Sequence, residues 1–321
     1  MRNLIWLTVA LALLAGPAAA ERWDMPTPYA DNNFHTLNIK QFAEDVNRAT
    51  GGKLEIVVHS AASLFKLPEI KRAVRTGQVP IGEVLMSALG NEDPMFEVDS
   101  VPFLASDYES ARKLWEISKP YVEKRLAKQG LMALFAVPWP PQALFARKEL
   151  TSVADLEGVK FRVYNAATSR LAELMGALPT TVQMPEVAQA FSTGMVHAMI
   201  TSPSFAVDTQ GWDFVEYMYE TRAMVPKDIV LMNRRAFQRL DDDTRHAILE
   251  AAARAEIRGW EMSARETEVK TAILVEKGMA VREVDPAFMA ELRAIGRVMT
   301  DEWVAKAGGD GKAVVKAFQS R

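Results

Sequence analysis

Short runs of alternating apolar and polar residues are separated by longer stretches in which apolar positions recur at helical spacing. Residues 54–59 alternate cleanly and predict a strand. Leu37, Ile39, Phe42, Ala43 and Val46 share one face of a helix that stops near Thr50-Gly51-Gly52. A short strand at 22–26 precedes that helix; a second helix over 67–76, stopped at Gly77, and a strand over 81–86 follow strand 54–59. This β-α-β-α-β order predicts a parallel sheet with right-handed crossovers. Residues 91–103 read as an acidic, proline-bearing loop, and 107–130 as a helix that Pro120 can interrupt.

An apolar strand at 131–137 runs into Pro138-Trp139-Pro140-Pro141-Gln142, a stiff extended stretch suited to a crossing between domains. A second series then begins: strand 143–147, a helical turn at 152–156, strand 159–163, a helix that stops at Gly176, a short strand at 182–183, helix 185–193 and strand 198–201. Segments 215–224 and 229–233 are extended and can return across both domains. Residues 240–277 predict one very long helix, opened by Asp241 to Thr244 and closed by Gly278. A strand at 281–284 and a helix from Asp285-Pro286 to near Gly308-Gly309 end the pattern. The expected organisation is α/β: a first lobe over 21–140 with later returning segments, a second lobe mainly over 141–235, and helices of 236–321 packing on both.

The first twenty residues read differently. Arg2, an apolar run over 4–15 and Gly16-Pro17-Ala18-Ala19-Ala20 match a secretory signal peptide cleaved after Ala20. The run is short for a membrane span, no later run approaches the required length, and an uncleaved anchor fits the small-residue box poorly. The expected location is therefore the periplasm, with no membrane insertion after cleavage. With no cysteine, disulfides, thiolate nucleophiles and cysteine metal sites are excluded. A formal net charge of −3 gives no reason to expect a nucleic-acid partner.

Few motifs carry chemistry. The four histidines, His35, His59, His197 and His246, lack the spacing of a zinc helix, and no phosphate loop or nucleophile elbow is present. The reading therefore includes no metal, no cofactor and no catalytic residue. Asp241-Asp242-Asp243 reads as a helix N-cap rather than a calcium loop, since the glycine and glutamate of an EF-hand are missing. The informative stretch is 155–203. Val159, Phe161 and Val163 alternate with Lys160, Arg162 and Tyr164, which sets Arg162 near the carboxyl end of a strand, just before a helix start. Ligands of open α/β sheets bind there, and a forked guanidinium suits a carboxylate. The competing reading is a structural ion pair between Arg162 and a nearby acid.

The run Ala154-Asp155-Leu156-Glu157-Gly158-Val159-Lys160-Phe161-Arg162-Val163, then Asn165, then Pro185-Glu186-Val187-Ala188-Gln189-Ala190-Phe191-Ser192-Thr193-Gly194, resembles the solute-binding subunits of tripartite ATP-independent periplasmic (TRAP) transporters. The resemblance extends over the whole chain after residue 20. It implies a periplasmic-binding-protein clamp of two lobes (a Venus flytrap) with a long helix spanning both, closing on an organic acid and delivering it to membrane subunits driven by an ion gradient. It also implies that Arg162 salt-bridges the ligand carboxylate and that Asn165 adds a hydrogen bond. Relatives that bind sialic acid carry a second arginine where Gln142 stands, which argues against a polyanionic sugar here. Thr201 and Ser202 stand where many relatives differ and offer hydroxyls to a ligand. His197 replaces the usual acid and reads as a surface residue or one that backs a ligand contact. Phe34, Met86, Trp139 and Trp212 are either pocket walls or ordinary core. The expected function is capture of a hydroxy, keto or aromatic acid without catalysis; the alternatives are a periplasmic sensor input and, more remotely, a hydrolase.

Overall fold

The computed structural model describes residues 20–320. The signal-peptide reading falls on residues 1–20 and so lies almost wholly outside them. In chain order the elements are β1 (Glu21–Pro26), α1 (Phe34–Ala49), β2 (Leu54–His59), α2 (Leu67–Thr76), β3 (Ile81–Leu85), α3 (Tyr108–Lys128) and β4 (Leu131–Pro138). Next come β5 (Ala143–Ala146), β6 (Lys160–Val163), α4 (Ala166–Leu174), β7 (Leu178–Thr181), α5 (Val187–Ser192), β8 (Ala198–Thr201) and α6 (Pro203–Asp208). The chain ends with β9 (Tyr217–Tyr219), β10 (Lys227–Asn233), α7 (Arg234–Arg239), α8 (Asp242–Glu276), β11 (Ala280–Arg282) and α9 (Pro286–Ser320).

The strands divide into two groups. β1 pairs in parallel with β2, and β3, β10 and β4 form a second ladder in that order, with β10 antiparallel to both neighbours. The other group is one six-stranded sheet ordered β11-β9-β5-β8-β6-β7. The uniformly parallel first sheet expected from the β-α-β-α-β pattern is therefore not what forms: β3 takes β10, a strand nearly 150 residues later, as its partner. Of the two returning segments, only β10 comes back to the first lobe, while β9 stays in the six-stranded sheet. Outgoing and returning chains run side by side at the crossing, where Trp139 N–H donates to Pro226 O (2.8 Å) and Gln142 N–H to Met224 O (2.9 Å).

Helix ends follow local chemistry. Asp241 caps α8 by accepting from Thr244 N–H at 2.7 Å, and Asn165 caps α4 by accepting from Thr168 N–H at 2.8 Å. α3 runs through Pro120 without ending. α9 breaks at Gly308, whose φ of 63° and ψ of −135° no side-chain-bearing residue adopts easily, and then resumes rather than stopping. Together these elements make the two-domain α/β fold of periplasmic binding proteins.

Candidate functional site

A cavity of about 500 Å³ lies between the two groups of strands and takes walls from both. Tyr29, Leu67, Leu85 and Trp139 come from the first lobe; Arg162, Tyr164, Phe205 and Met184 come from the second. Such a volume is ordinary for a small-molecule site.

Arg162 is the third residue of β6. Phe161 and Val163 point into the core of the second lobe, so the period-2 pleat turns Arg162 to the opposite face. The residue is 3% exposed. Its Nε donates to Val182 O at 2.9 Å, and its guanidinium lies over the rings of Tyr164 (4.9 Å) and Phe205 (4.7 Å). Among the described residues no carboxylate comes within ion-pair distance of it. Burial lowers its pKa to about 10, so it remains a cation at neutral pH. The structural ion pair weighed above is thus absent. A desolvated cation on a cavity wall, held by ring faces and one carbonyl, retains donors for an anion.

The hydroxyl residues cluster nearby. Thr201 closes β8, opposite Ala143 in the ladder, and Ser202 caps α6 by accepting from Phe205 N–H at 3.0 Å; both line the cavity. Gln142 lines it too, donating to Pro140 O (2.9 Å) and accepting from Tyr164 OH (3.3 Å). Trp139 forms a wall, edge-on to Tyr29 with ring centroids 5.0 Å apart.

Four expected site residues do not line the cavity. Phe34 starts α1 and supports Trp139 from behind, their centroids 5.4 Å apart. Met86 is buried in the core of the first lobe, and Trp212 stacks under the Lys277 ammonium away from the cleft. Asn165 sits between the lobes instead: its Nδ2 donates to Ser87 Oγ at 2.8 Å while its Oδ1 caps α4. His197 is half-buried just before β8, outside the cavity.

Tyr29, Tyr164, Phe205 and Met184 were not anticipated. Tyr164 had a readable signal, because it lies two residues beyond Arg162 in the alternating pattern, just past the end of β6. Phe205 lies one turn past Thr201-Ser202. Tyr29 sits in a loop and Met184 opens a short 3-10 turn (Met184–Glu186), and only the assembled fold decides where either points.

Two lobes, a crossing of paired segments and a cavity anchored by a lone buried guanidinium define a solute-binding clamp. The pattern of the bacterial extracellular solute-binding protein family 7 (DctP) matches residues 27–307, and the chain belongs to that family. It is similar to a Bordetella pertussis extracytoplasmic solute receptor binding pyroglutamic acid, with 50% identity, 94% of this chain and 100% of that chain covered, and a TM-score of 0.92. A marine metagenome TRAP solute-binding protein specific for pyroglutamate is 42% identical, with 95% of this chain and all of that one covered and a TM-score of 0.92. The C4-dicarboxylate-binding periplasmic protein DctP of Rhodobacter capsulatus is 25% identical, with 86% of this chain and 84% of its own length covered. The chain is a solute receptor of the TRAP type. No helix among the described residues is long and apolar enough to cross a membrane.

Proposed function

We propose that this chain is an exported receptor, cleaved after Ala20, that captures pyroglutamate or a similarly compact cyclic monocarboxylate and hands it unchanged to the membrane subunits of a TRAP transporter. One observation carries the reading: a guanidinium 3% exposed, without an acidic partner, faces a cavity walled by aromatic rings. Arg162 binds the carboxylate; Thr201 and Ser202 supply hydroxyls to the polar edge of the ligand; Tyr164, Phe205, Trp139 and Tyr29 enclose its ring. The pyroglutamate receptors at 42–50% identity support a lactam acid over the hydroxy, keto or aromatic acid expected from the sequence. Arg162 is the buried cation of the cavity, and the exposed Lys66 and Glu186 at its rim carry opposite charges, a balance that suits a monoanion better than a dicarboxylate.

The test is ligand release and rebinding. Protein purified from periplasm is unfolded, and the freed small molecule is identified by mass spectrometry. Refolded protein is then melted against pyroglutamate, lactate, pyruvate, succinate and glucuronate. A ligand at ~100 times its Kd adds about 2.7 kcal/mol of stability, and pyroglutamate is expected to give the largest shift. A larger shift with succinate or glucuronate, or none with any acid, rules the proposal out.

A further inference from the structure

Behind the cavity wall lies a cluster that solute capture does not use directly. His35 from α1, Glu83 from β3 and Asp228 from β10 converge there, 0%, 1% and 1% exposed. His35 Nδ1 is 3.6 Å from Asp228 Oδ2 and 3.8 Å from Glu83 Oε1, too far for hydrogen bonds. One donor atom from each residue lies within 4.8 Å of the other two. His35 Nδ1, His35 Nε2 and Asp228 Oδ2 are buried without any hydrogen-bond partner. Orphaned polar atoms of this kind each cost free energy and are rare in folded proteins.

Charge sharpens the problem. Two carboxylates share this dry space, and among the described residues no lysine or arginine pairs with either of them. Lys227, the nearest in sequence, turns instead to Asp99 at 3.8 Å. A local charge of opposite sign is what the three residues lack.

The remaining carboxylate oxygens are already positioned from outside. Glu83 Oε2 accepts from Thr27 Oγ1 at 2.6 Å, while Asp228 Oδ1 accepts from Tyr29 OH at 2.9 Å and Trp139 Nε1 at 3.3 Å. Each acid therefore has one oxygen fixed by an outer donor and the other turned toward His35. Metal-binding carboxylates are oriented in this way. Metal–ligand bonds of ~2.0–2.2 Å in a tetrahedron set the ligand atoms about 3.3–3.6 Å apart, close to the 3.6 and 3.8 Å from His35 Nδ1 to the two carboxylates.

We propose that His35, Glu83 and Asp228 form a buried site for a divalent transition cation of the zinc class. Two carboxylates balance its charge, and one neutral imidazole selects against calcium and magnesium, which prefer all-oxygen sites. Because Tyr29 and Trp139 both hold Asp228 and both line the cavity, the ion also fixes the wall against which the solute packs.

Full-length protein expressed in cells supplied with ZnSO4 and purified without metal resin is washed with EDTA, then assayed by plasma mass spectrometry. The expected result is one tightly held zinc per chain, absent from His35→Gln and Asp228→Asn. Circular dichroism reports whether each variant folds. If either does not, wild-type protein unfolded with EDTA and refolded with or without ZnCl2 decides: a melting temperature higher by several degrees with zinc, and an X-ray absorption spectrum of nitrogen and oxygen ligands including one imidazole, support the site. Zinc retained equally by folded His35→Gln, or no zinc and no melting shift in the wild type, overturns it. Neither readout depends on which acid the cleft binds.

Discussion

A buried guanidinium without an acid is costly to the protein that carries it. Arg162 gives up its hydration and receives only one carbonyl and two ring faces in return. In the proposed function a carboxylate completes the pairing, and Arg162 then trades stability of the unliganded chain for affinity. Arg162→Met keeps the bulk and removes the charge. Breaking a buried charge pair costs about 2–5 kcal/mol, so affinity for the acid ligand should fall at least ~30-fold, measured by calorimetry. The unliganded variant should melt at the same temperature as the parent or higher. A variant that melts well below the parent yet still binds would mean Arg162 is a structural cation. The strand period made Arg162 and its face readable in the sequence. His35, Glu83 and Asp228 were not readable as a group, because the grouping needs β10 beside β3, a pairing with no local signature.

Elements were legible in proportion to how local their signals are. The cap at Asp241 and the Ala- and Glu-rich run of α8 are local, and the helix follows the sequence from Asp242 to Glu276. The partners of β3 and the resumption of α9 past Gly308 are settled by distant packing, which no periodicity records. How closely α8 approaches the first lobe is likewise hidden until the fold is assembled. Asn38 Nδ2 on α1 donates to Ala255 O at 3.0 Å, and Trp260 Nε1 donates to Ala136 O on β4 at 3.0 Å. Between these bonds Gly259 faces the sheet so closely that an added methyl would stand 2.4 Å from Val137 Cγ2 and 2.8 Å from Asn38 Nδ2. Alanine favours a helix over glycine by roughly 1 kcal/mol, while overpacking a stiff valine typically costs about 1–3 kcal/mol. The clash should win: Gly259→Ala is expected to lower the urea midpoint by an amount equivalent to up to about 2 kcal/mol, with the slope unchanged. A midpoint at or above that of the parent would show that α8 can shift away from β4 at no cost.

For the whole molecule the governing quantity is the free-energy difference between open and closed clamp, since the solute touches both lobes only when they meet. Paired chain segments at Trp139–Pro226 and Gln142–Met224 tie the crossing together and leave closure to be decided at the cleft. Asn165 contributes there without lining the cavity. Its Oδ1 is committed to the α4 cap, but its Nδ2 reaches across to Ser87 Oγ, a hydroxyl 1% exposed in the turn after β3. This bond joins residues of opposite lobes, so it counts only toward the closed form. Ser87→Ala removes it and spares the cap, which a change at Asn165 would not. A net hydrogen bond is worth about 0.5–1.5 kcal/mol, so ligand affinity should weaken roughly two- to tenfold. Most of the change should appear as faster release rather than slower capture, because encounter takes place with the clamp open. Stopped-flow tryptophan fluorescence, with Trp139 on the cavity wall as reporter, can follow both rates, and small-angle scattering of the unliganded variant should report no smaller radius than the parent. If release is unaltered, closure is governed by Arg162 and the aromatic walls alone, and the Asn165–Ser87 bond merely follows the lobes as they meet.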